Sequence, residues 1–249
     1  MPAGSPWFRG QTESWPPTPT LFRHKVDEHL LVERFRSLAP MFGGTPPREE
    51  KDSWLYLMEH VGVPTRLLDW SEGALIGLYF AVQGVDLEAA EDENKTDPCV
   101  WILHPLELNK LVFGIHRFPQ SDEAVFIERC DLAYGKDAAA GEPIAILPNH
   151  VHPRMKSQKG CFNLHGSDSR CFEKLPISRK LVKKGFFLKI TVKRKSAPEI
   201  LQELRWIGIT HCSLFPDHDG LATELKRIFL DESSSRDLKG RLGQTESSK

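Results

Sequence analysis

Several features that define common classes of protein are missing from this 249-residue sequence. No stretch approaches the roughly 18–20 consecutive apolar residues that a transmembrane helix needs. Residues 1–11 lack the continuous apolar core of a secretory signal peptide. We therefore expect a cytoplasmic protein that makes no contact with a membrane. The motifs of familiar nucleotide-binding and hydrolytic sites are missing too: there is no Walker loop, G-x-G-x-x-G, G-x-S-x-G or H-E-x-x-H.

An excess of positive charge is also missing. Lys and Arg number 33 against 34 Asp and Glu, which gives a formal net charge of −1. Strong non-specific attraction to nucleic acid is therefore not expected, because that binding scales with excess positive charge. The five cysteines are odd in number and contain no C-x-x-C pair, which argues against a disulfide framework. We expect buried or inert thiols.

Histidine and cysteine are concentrated in one segment, but without the spacing of a metal site. The residues are His150, His152, Cys161, His165 and Cys171. Closed zinc sites nearly always show paired ligands at short spacing, and these residues match no finger or knuckle. We therefore predict no bound metal.

The residues that are present indicate a globular α+β protein. Hydrophobic residues make up 40% and charged residues 27% of the chain, which is the ordinary globular range. Strand and helix patterns intermix without a regular β-α-β rhythm. We therefore predict a mixed, largely antiparallel sheet with helices packed around it, as a single domain over residues 1–232. The polar tail, 233–249, is expected to be disordered.

Some expectations for individual segments are specific enough to check. Residues 187–193 alternate as a half-buried strand with Leu188, Ile190 and Val192 on its inner face. Residues 212–216 are predicted as a last strand, followed by a last helix over 221–229. The acidic segment 86–97 is predicted as a solvated loop, and no element is assigned over 114–142.

An arginine lies between aromatic residues and a glycine in the first predicted strand, Trp7-Phe8-Arg9-Gly10-Gln11. A buried guanidinium needs an anionic partner. Its planar fork suits a phosphate or carboxylate of a ligand, and Gly10 would let the ligand approach the backbone. Alternatively, Arg9 pairs with a structural Asp or Glu.

A second polar group lies on the turn between two helical stretches. It combines His60, Thr65, Arg66, Asp69 and Ser71, and an apolar stretch follows. Polar side chains on a rigid turn are typical of a binding site. The alternative is that Arg66 and Asp69 pair with each other locally.

Two later segments also carry polar residues that a site could use. Gln158 belongs to Gln-Lys-Gly-Cys-Phe, and Phe-Pro-Asp-His-Asp-Gly places two carboxylates at the start of a helix. Asp219 is predicted as the N-cap of that helix, which leaves Asp217 as the freer carboxylate. Between them, residues 174–195 hold nine basic residues and no acid. This basic stretch is either a solvated face or a surface for RNA, DNA or another polyanion.

Taken together, these segments resemble the FRG domain family, named for its Phe/Tyr-Arg-Gly signature. The resemblance extends from Trp7-Phe8-Arg9-Gly10-Gln11 through Pro64-Thr65-Arg66-Leu67-Leu68-Asp69-Trp70-Ser71 and Leu78-Tyr79-Phe80-Ala81 to Leu214-Phe215-Pro216-Asp217. The layout is also similar to that of ADP-ribosyltransferases. That similarity implies that Arg9 grips NAD, that Tyr79 or Phe80 stacks on nicotinamide, and that Asp217 or Glu224 supplies the late carboxylate.

The resemblance leads to a specific expectation about function. We expect a pocket for an anionic, nucleotide-like ligand, and most plausibly an NAD-dependent ADP-ribosyltransferase-like enzyme or a toxin or defence effector. NAD is then a substrate rather than a tightly bound cofactor, and the acceptor is a protein or a nucleic acid. The expected catalytic residues are Arg9, His60, Asp217 and Glu224. The expected ligand-binding residues are Arg9, Gly10, Gln11, Thr65, Arg66, Asp69, Tyr79, Phe80 and Gln158.

Two other classes of function stay open. The same pocket could serve a non-catalytic module that binds a nucleotide or RNA, with the basic stretch adding affinity. A metal-dependent nuclease could instead use Asp217, His218 and Asp219.

Overall fold

The computed structural model describes residues 4–24, 26–86, 95–137, 141–148 and 153–231. Within these ranges, six strands form one open antiparallel sheet in the order β4-β5-β2-β1-β3-β6, with helices around it. This confirms the predicted α+β class and the single domain. The predicted tail at 233–249 lies outside the described residues, as do 87–94 of the predicted acidic loop.

The elements alternate irregularly along the chain. The strands are β1 (Trp7–Gln11), β2 (Leu67–Ser71), β3 (Cys99–Leu103), β4 (Ile144–Ile146), β5 (Gly160–Leu164) and β6 (Phe187–Thr191). The helices are α1 (Thr20–His24), α2 (Glu28–Leu38), α3 (Lys51–His60), α4 (Ala74–Val82), α5 (Pro105–Phe113), α6 (Ala124–Ala133), α7 (Pro153–Ser157), α8 (Pro176–Lys183), α9 (Ala197–Trp206), α10 (His211–Leu214) and α11 (His218–Lys226).

The sheet is weakly joined at its centre. β1 pairs with β3 at five positions, and β2 pairs with β5 at five. By contrast, β1 and β2 share a single register pair, in which Phe8 lies opposite Ser71. The sheet therefore opens between its two central strands, and side chains can enter the gap.

Aromatic residues fill the core on one face of the sheet. Trp7 of β1, Trp70 of β2 and Trp101 of β3 are buried together with Phe172 and Phe187. Trp101 stacks on Phe187 with ring centroids 5.1 Å apart, and Phe172 meets Phe187 edge to face at 5.0 Å. These large apolar surfaces hold β1, β2, β3 and β6 to the helices α5 and α8.

On the other face, α4 crosses β1 at very close range. A Cβ atom on Gly10 would lie 1.9 Å from the carbonyl oxygen of Gly77 and 2.4 Å from the amide nitrogen of Ala81. A Cβ on Gly77 would in turn lie 2.7 Å from the Cβ of Phe8. Gly10 thus permits the approach of a helix, whereas the sequence suggested the approach of a ligand.

Two predictions about single elements are wrong. β6 forms as predicted, but Leu188 and Ile190 are 46% and 53% exposed, because β6 is the edge strand and α8 packs on its opposite face. Residues 212–216 form no strand. Thr210 accepts a hydrogen bond from the amide of Ser213, and this capping box starts the short helix α10 instead.

Candidate functional site

A cavity of about 170 Å³ lies where β1 and β2 part. Strands β1, β2 and β5 and helices α3, α4 and α7 contribute to its walls. Its aromatic lining consists of Phe8, Tyr56, Trp70, Phe80, Phe162 and Phe215. Its polar lining consists of Arg9, Glu59, His60, Asp69, Ser71, Arg154 and Gln158. An apolar cavity with a few convergent polar groups is the usual form of a small-molecule site.

Arg9 bridges the gap between the two central strands. Its Nη1 donates to the backbone carbonyl of Asp69 at 2.8 Å and also to the Asp69 carboxylate. The Nε of Arg9 is buried and has no hydrogen-bond partner among the described residues. Arg9 and Asp69 both line the cavity, and 60% of the side-chain surface of Asp69 is exposed. The ion pair therefore faces the space that a ligand would occupy.

The cavity lining contains a second carboxyl group, that of Glu59, whose protonation state at neutral pH differs from that of Asp69. Glu59 lies on α3 and accepts a hydrogen bond from the hydroxyl of Thr65. Burial, and then the negative charge of Asp69, raise the pKa of Glu59 to about 8. Burial would also raise the pKa of Asp69, but the charge and hydrogen bond of Arg9 outweigh it and hold that pKa below its usual value. At neutral pH one carboxyl is thus protonated and the other ionised, a typical arrangement at acid–base sites.

Aromatic rings form the walls around these charges. Tyr56 stacks on Phe162 at a centroid distance of 5.7 Å, and Phe80 meets Phe215 edge to face at 6.1 Å. The guanidinium of Arg154 lies 5.4 Å from the centre of the Phe215 ring. Flat apolar rings of this kind can stack on a planar base.

The late segment contributes to the wall but not as predicted. Asp217, and not Asp219, is the N-cap of α11, since its carboxylate accepts from the amide of Gly220 at 2.9 Å. The same carboxylate accepts from Arg154, which lowers its pKa to about 2. Gln158 lies in the cavity wall, where its side-chain amide donates to the carbonyl of Leu214 at 3.1 Å. Asp217 therefore positions Arg154 and α11, and is not a freer carboxylate.

Six of the predicted catalytic and ligand-binding residues line the cavity: Arg9, Gly10, His60, Asp69, Phe80 and Gln158. Thr65 is buried behind the cavity and reaches it through Glu59. Arg66 is buried against Glu28 and does not pair with Asp69. The Oε1 atom of Gln11 is buried outside the cavity lining, without a hydrogen-bond partner in the described ranges.

Tyr79 and Glu224 lie in a neighbouring cluster, outside the cavity lining. The hydroxyl of Tyr79 is 3.1 Å from Nδ1 of His211, and Glu224 accepts from the backbone amide of His211 at 2.8 Å. His211 stacks on Phe215 at 4.4 Å. The cluster therefore supports the cavity wall from behind, and of the predicted stacking pair only Phe80 faces the cavity.

The sequence-based prediction missed Glu59, Tyr56, Arg154 and Phe162 of the lining. Glu59 immediately precedes the predicted His60, and one helical turn separates it from Tyr56 on α3. That i, i+3 spacing could have placed both on the face that carries the site. Arg154 and Phe162 carry no such signal, because the contact between α7, β5 and β2 is long-range.

The raised pKa of Glu59 predicts a pH-dependent loss of stability. The folded state holds a proton on Glu59 up to about pH 8, whereas the unfolded state releases it near 4.5. The stabilisation is therefore fully present below pH 4.5 and is lost as the pH rises through about 8. We expect Glu59→Gln to remove this loss. The test is the urea unfolding midpoint of the wild-type protein and of Glu59→Gln at pH 5, 7 and 9. The same pH dependence of the midpoint in both proteins would contradict the raised pKa of Glu59.

Two of the five free cysteines, Cys171 and Cys212, are half-buried. Cys99, Cys130 and Cys161 are free and buried, and burial raises the pKa of each thiol, which agrees with inert cysteines. Among the residues the structure describes, no three His, Cys, Asp or Glu side chains are grouped as metal ligands. His150 and His152 lie outside those residues. No described helix has the length and apolar character needed to cross a membrane.

Comparison with known proteins gives one match. The family model described as the FRG domain matches residues 5–90, which include β1, β2 and the helices α1–α4. This supports the FRG family for that part of the chain. Searches of curated proteins and of solved structures find no match. Nothing in the comparisons supports the similarity to ADP-ribosyltransferases.

Proposed function

We propose, with the FRG-domain match over residues 5–90 as the premise, that the cavity binds an anionic nucleotide-like ligand and transfers its ribosyl group to an acceptor. NAD is the leading ligand. The observation that carries the proposal is the grouping of Arg9, Asp69 and Glu59, whose pKa is raised to about 8, at an aromatic cavity in the opened sheet. This combination supplies a cation for the anionic ligand, rings for its base and carboxyl groups for the reaction.

The size of the cavity limits which part of NAD it can enclose. At about 170 Å³ it is smaller than the roughly 300–1,000 Å³ of pockets that enclose drug-sized ligands. We therefore assign it to the nicotinamide and its ribose, with the adenylate half outside. We assign the stacking on nicotinamide to Phe80 and Phe215, whose rings meet edge to face in the cavity lining. Arg9 then binds the ribose or the adjacent phosphate through guanidinium N–H groups that do not donate to Asp69.

The reaction follows from the two carboxyl groups. The bond from ribose C1′ to nicotinamide breaks, and its electron pair goes to the ring nitrogen, so that nicotinamide leaves as a neutral molecule. Asp69 faces the positive charge that develops at C1′. The acceptor forms the new bond to C1′ and loses a proton, which the ionised form of Glu59 takes up. Because Glu59 must be ionised for this step, kcat/KM should rise with pH up to about 8.

The test uses NAD labelled in its adenylate half, with a cell extract as the source of acceptors. We expect label transfer and nicotinamide release by the wild-type protein. Glu59→Gln should lower the rate at least about 100-fold, the usual effect of losing a general base, while NAD binding measured by calorimetry persists. Arg9→Ala should weaken binding itself. The matched control is Glu199→Gln on α9, an exposed carboxyl that is not part of the cavity lining.

Each outcome bears on a different part of the proposal. Absence of both NAD binding and turnover would overturn it. Binding without turnover would favour the non-catalytic nucleotide-binding module, which uses the same cavity. Turnover that Glu59→Gln leaves unchanged would reject Glu59 as the base. No observation favours the nuclease alternative, since the carboxylate of Asp217 is already held by Arg154.

A further inference from the structure

The outer edge of β6 carries unused backbone hydrogen-bonding groups. The carbonyl of Phe186 accepts from His104, and the amide of Val192 donates to Pro98, each at 2.8 Å. In an antiparallel ladder the backbone groups of successive residues alternate in direction. Residues 186, 188, 190 and 192 therefore face β3, and 187, 189 and 191 face outward. No described strand pairs with this outer side.

Two apolar side chains lie beside this edge. Leu188 and Ile190 project from the same face of β6 and are about half exposed. On the opposite face, Lys189 extends over the ring of Trp101, with its Nζ 5.0 Å from the ring centre. The edge thus combines an apolar surface on one face with a positive charge on the other.

Basic side chains are concentrated in the stretch of sequence that contains β6. Of the nine basic residues in 174–195, Arg194 is buried and bound to backbone carbonyls, including that of Thr96. The other eight are exposed: Lys174, Arg179, Lys180, Lys183, Lys184, Lys189, Lys193 and Lys195. None of these eight forms an ion pair with a residue that the structure describes. Their charge is therefore available to an acidic partner.

We propose that the outer edge of β6 binds an extended acidic peptide, which adds to the sheet as a seventh strand. Strand addition supplies main-chain hydrogen bonds, and alternate side chains of the peptide supply specificity. Apolar side chains of the peptide cover Leu188 and Ile190, and its acidic side chains face Lys189 and Lys193. The proposal is independent of the cavity and of its ligand.

The same observations disfavour two other occupants. In an antiparallel pair of two copies centred on β6, Lys189 would lie opposite Lys189, and like charges directly opposite each other are destabilising. Lysine at an exposed edge is a common protection against such self-pairing. A nucleic acid would use the basic side chains but would leave the outward backbone groups and the apolar pair uncovered.

The test uses a fluorescent eight-residue peptide of alternating Glu and Val, with both ends blocked. Its comparison peptide has the same composition in two blocks, four Glu followed by four Val. We expect the full chain to bind the alternating peptide at least about tenfold more tightly by anisotropy, because only that peptide matches the period of a strand. Equal affinity for the two peptides, or no binding at 1 mM in low salt, would overturn the proposal. So would tighter binding of a single-stranded RNA.

Variants separate the backbone contribution from the charge contribution. Thr191→Pro removes an outward amide without removing a hydrogen bond to β3. It should lower the affinity for the alternating peptide by about three- to tenfold, as expected for one hydrogen bond. The double variant Lys189→Gln, Lys193→Gln should also lower the affinity for the alternating peptide, and should make that affinity less dependent on salt concentration. Lys226→Gln on α11 is the matched control and should leave affinity unchanged. If Thr191→Pro fails to fold, Ile190→Asn replaces it, with the same expected direction.

Discussion

Arg66→Ala is expected to lower the free energy of unfolding by about 3–5 kcal/mol, the usual cost of breaking one side of a buried ion pair. Arg66 and Glu28 are both buried. The Nε of Arg66 donates to the two Glu28 oxygens at 2.9 and 3.0 Å, and its Nη1 donates to the carbonyls of His165 and Gly166, each at 3.1 Å. One guanidinium therefore joins the start of α2, the start of β2 and the end of β5.

The loss is large because the charge left behind cannot reach water. Without Arg66, the Glu28 carboxylate and two carbonyl oxygens lose their donors inside the protein. Since small proteins are stable by only about 5–15 kcal/mol, urea unfolding should show a much lower midpoint. Arg117→Ala is the matched control, because Arg117 also makes a two-bond pair with Glu123, but at the surface. A similar midpoint shift in both variants would contradict a special role for the buried pair.

Gly10→Ala is expected to destabilise the protein by about 3 kcal/mol, at the upper end for overpacking a core. The added methyl group would lie 1.9 Å from the carbonyl oxygen of Gly77 and 2.4 Å from the amide nitrogen of Ala81. Both atoms belong to the backbone of α4, so a side-chain rotation cannot relieve the contact. Helix α4 must move away from β1, and Phe8 and Phe80 of the cavity wall move with the two elements.

The control for this prediction is a substitution of Gly73, the N-cap residue of α4, which is the helix that Gly10 contacts. Gly73→Ala places its methyl 2.8 Å from Cδ1 of Ile76, the far end of a flexible side chain. We expect a clearly smaller change in the urea midpoint for Gly73→Ala than for Gly10→Ala. Under the proposed function, NAD binding should also be weaker in Gly10→Ala, even under conditions in which the variant is fully folded. Equal midpoints for the two variants would show that α4 and β1 tolerate separation.

Much of the fold could be predicted because the spacing of apolar residues along most segments matches the faces that those segments bury in the structure. Helix α2 has apolar residues at helical spacing, and β3 is a short apolar run before a proline. The prediction failed where pattern and environment differ. β6 alternates like a half-buried strand, yet nothing in its own sequence shows that it lies at the edge of the sheet. The segment that forms β2 was predicted as part of a turn, because the polar residue Asp69, which lines the cavity, interrupts its run of buried residues.

The site was predictable only in its local parts. Arg9 and Asp69 were both identified, but their pairing depends on β1 lying beside β2, although the two residues are 60 positions apart in sequence. The assignment of Asp217 as a freer carboxylate failed for the same reason, because its partner Arg154 comes from a distant helix. Glu59 owes its raised pKa to burial and to Asp69, neither of which the sequence around Glu59 displays.

The opening between β1 and β2 also determines how small a fragment of this chain could fold. The segment that matches the FRG model ends at residue 90, before β3 and β5. A fragment with that boundary would keep the single pair between Phe8 and Ser71 and lose the five pairs of β1 with β3 and the five of β2 with β5. The segment that matches the FRG model thus contains Arg9, Glu59 and Asp69 of the cavity lining, whereas its independence as a folding unit depends on strands that follow it.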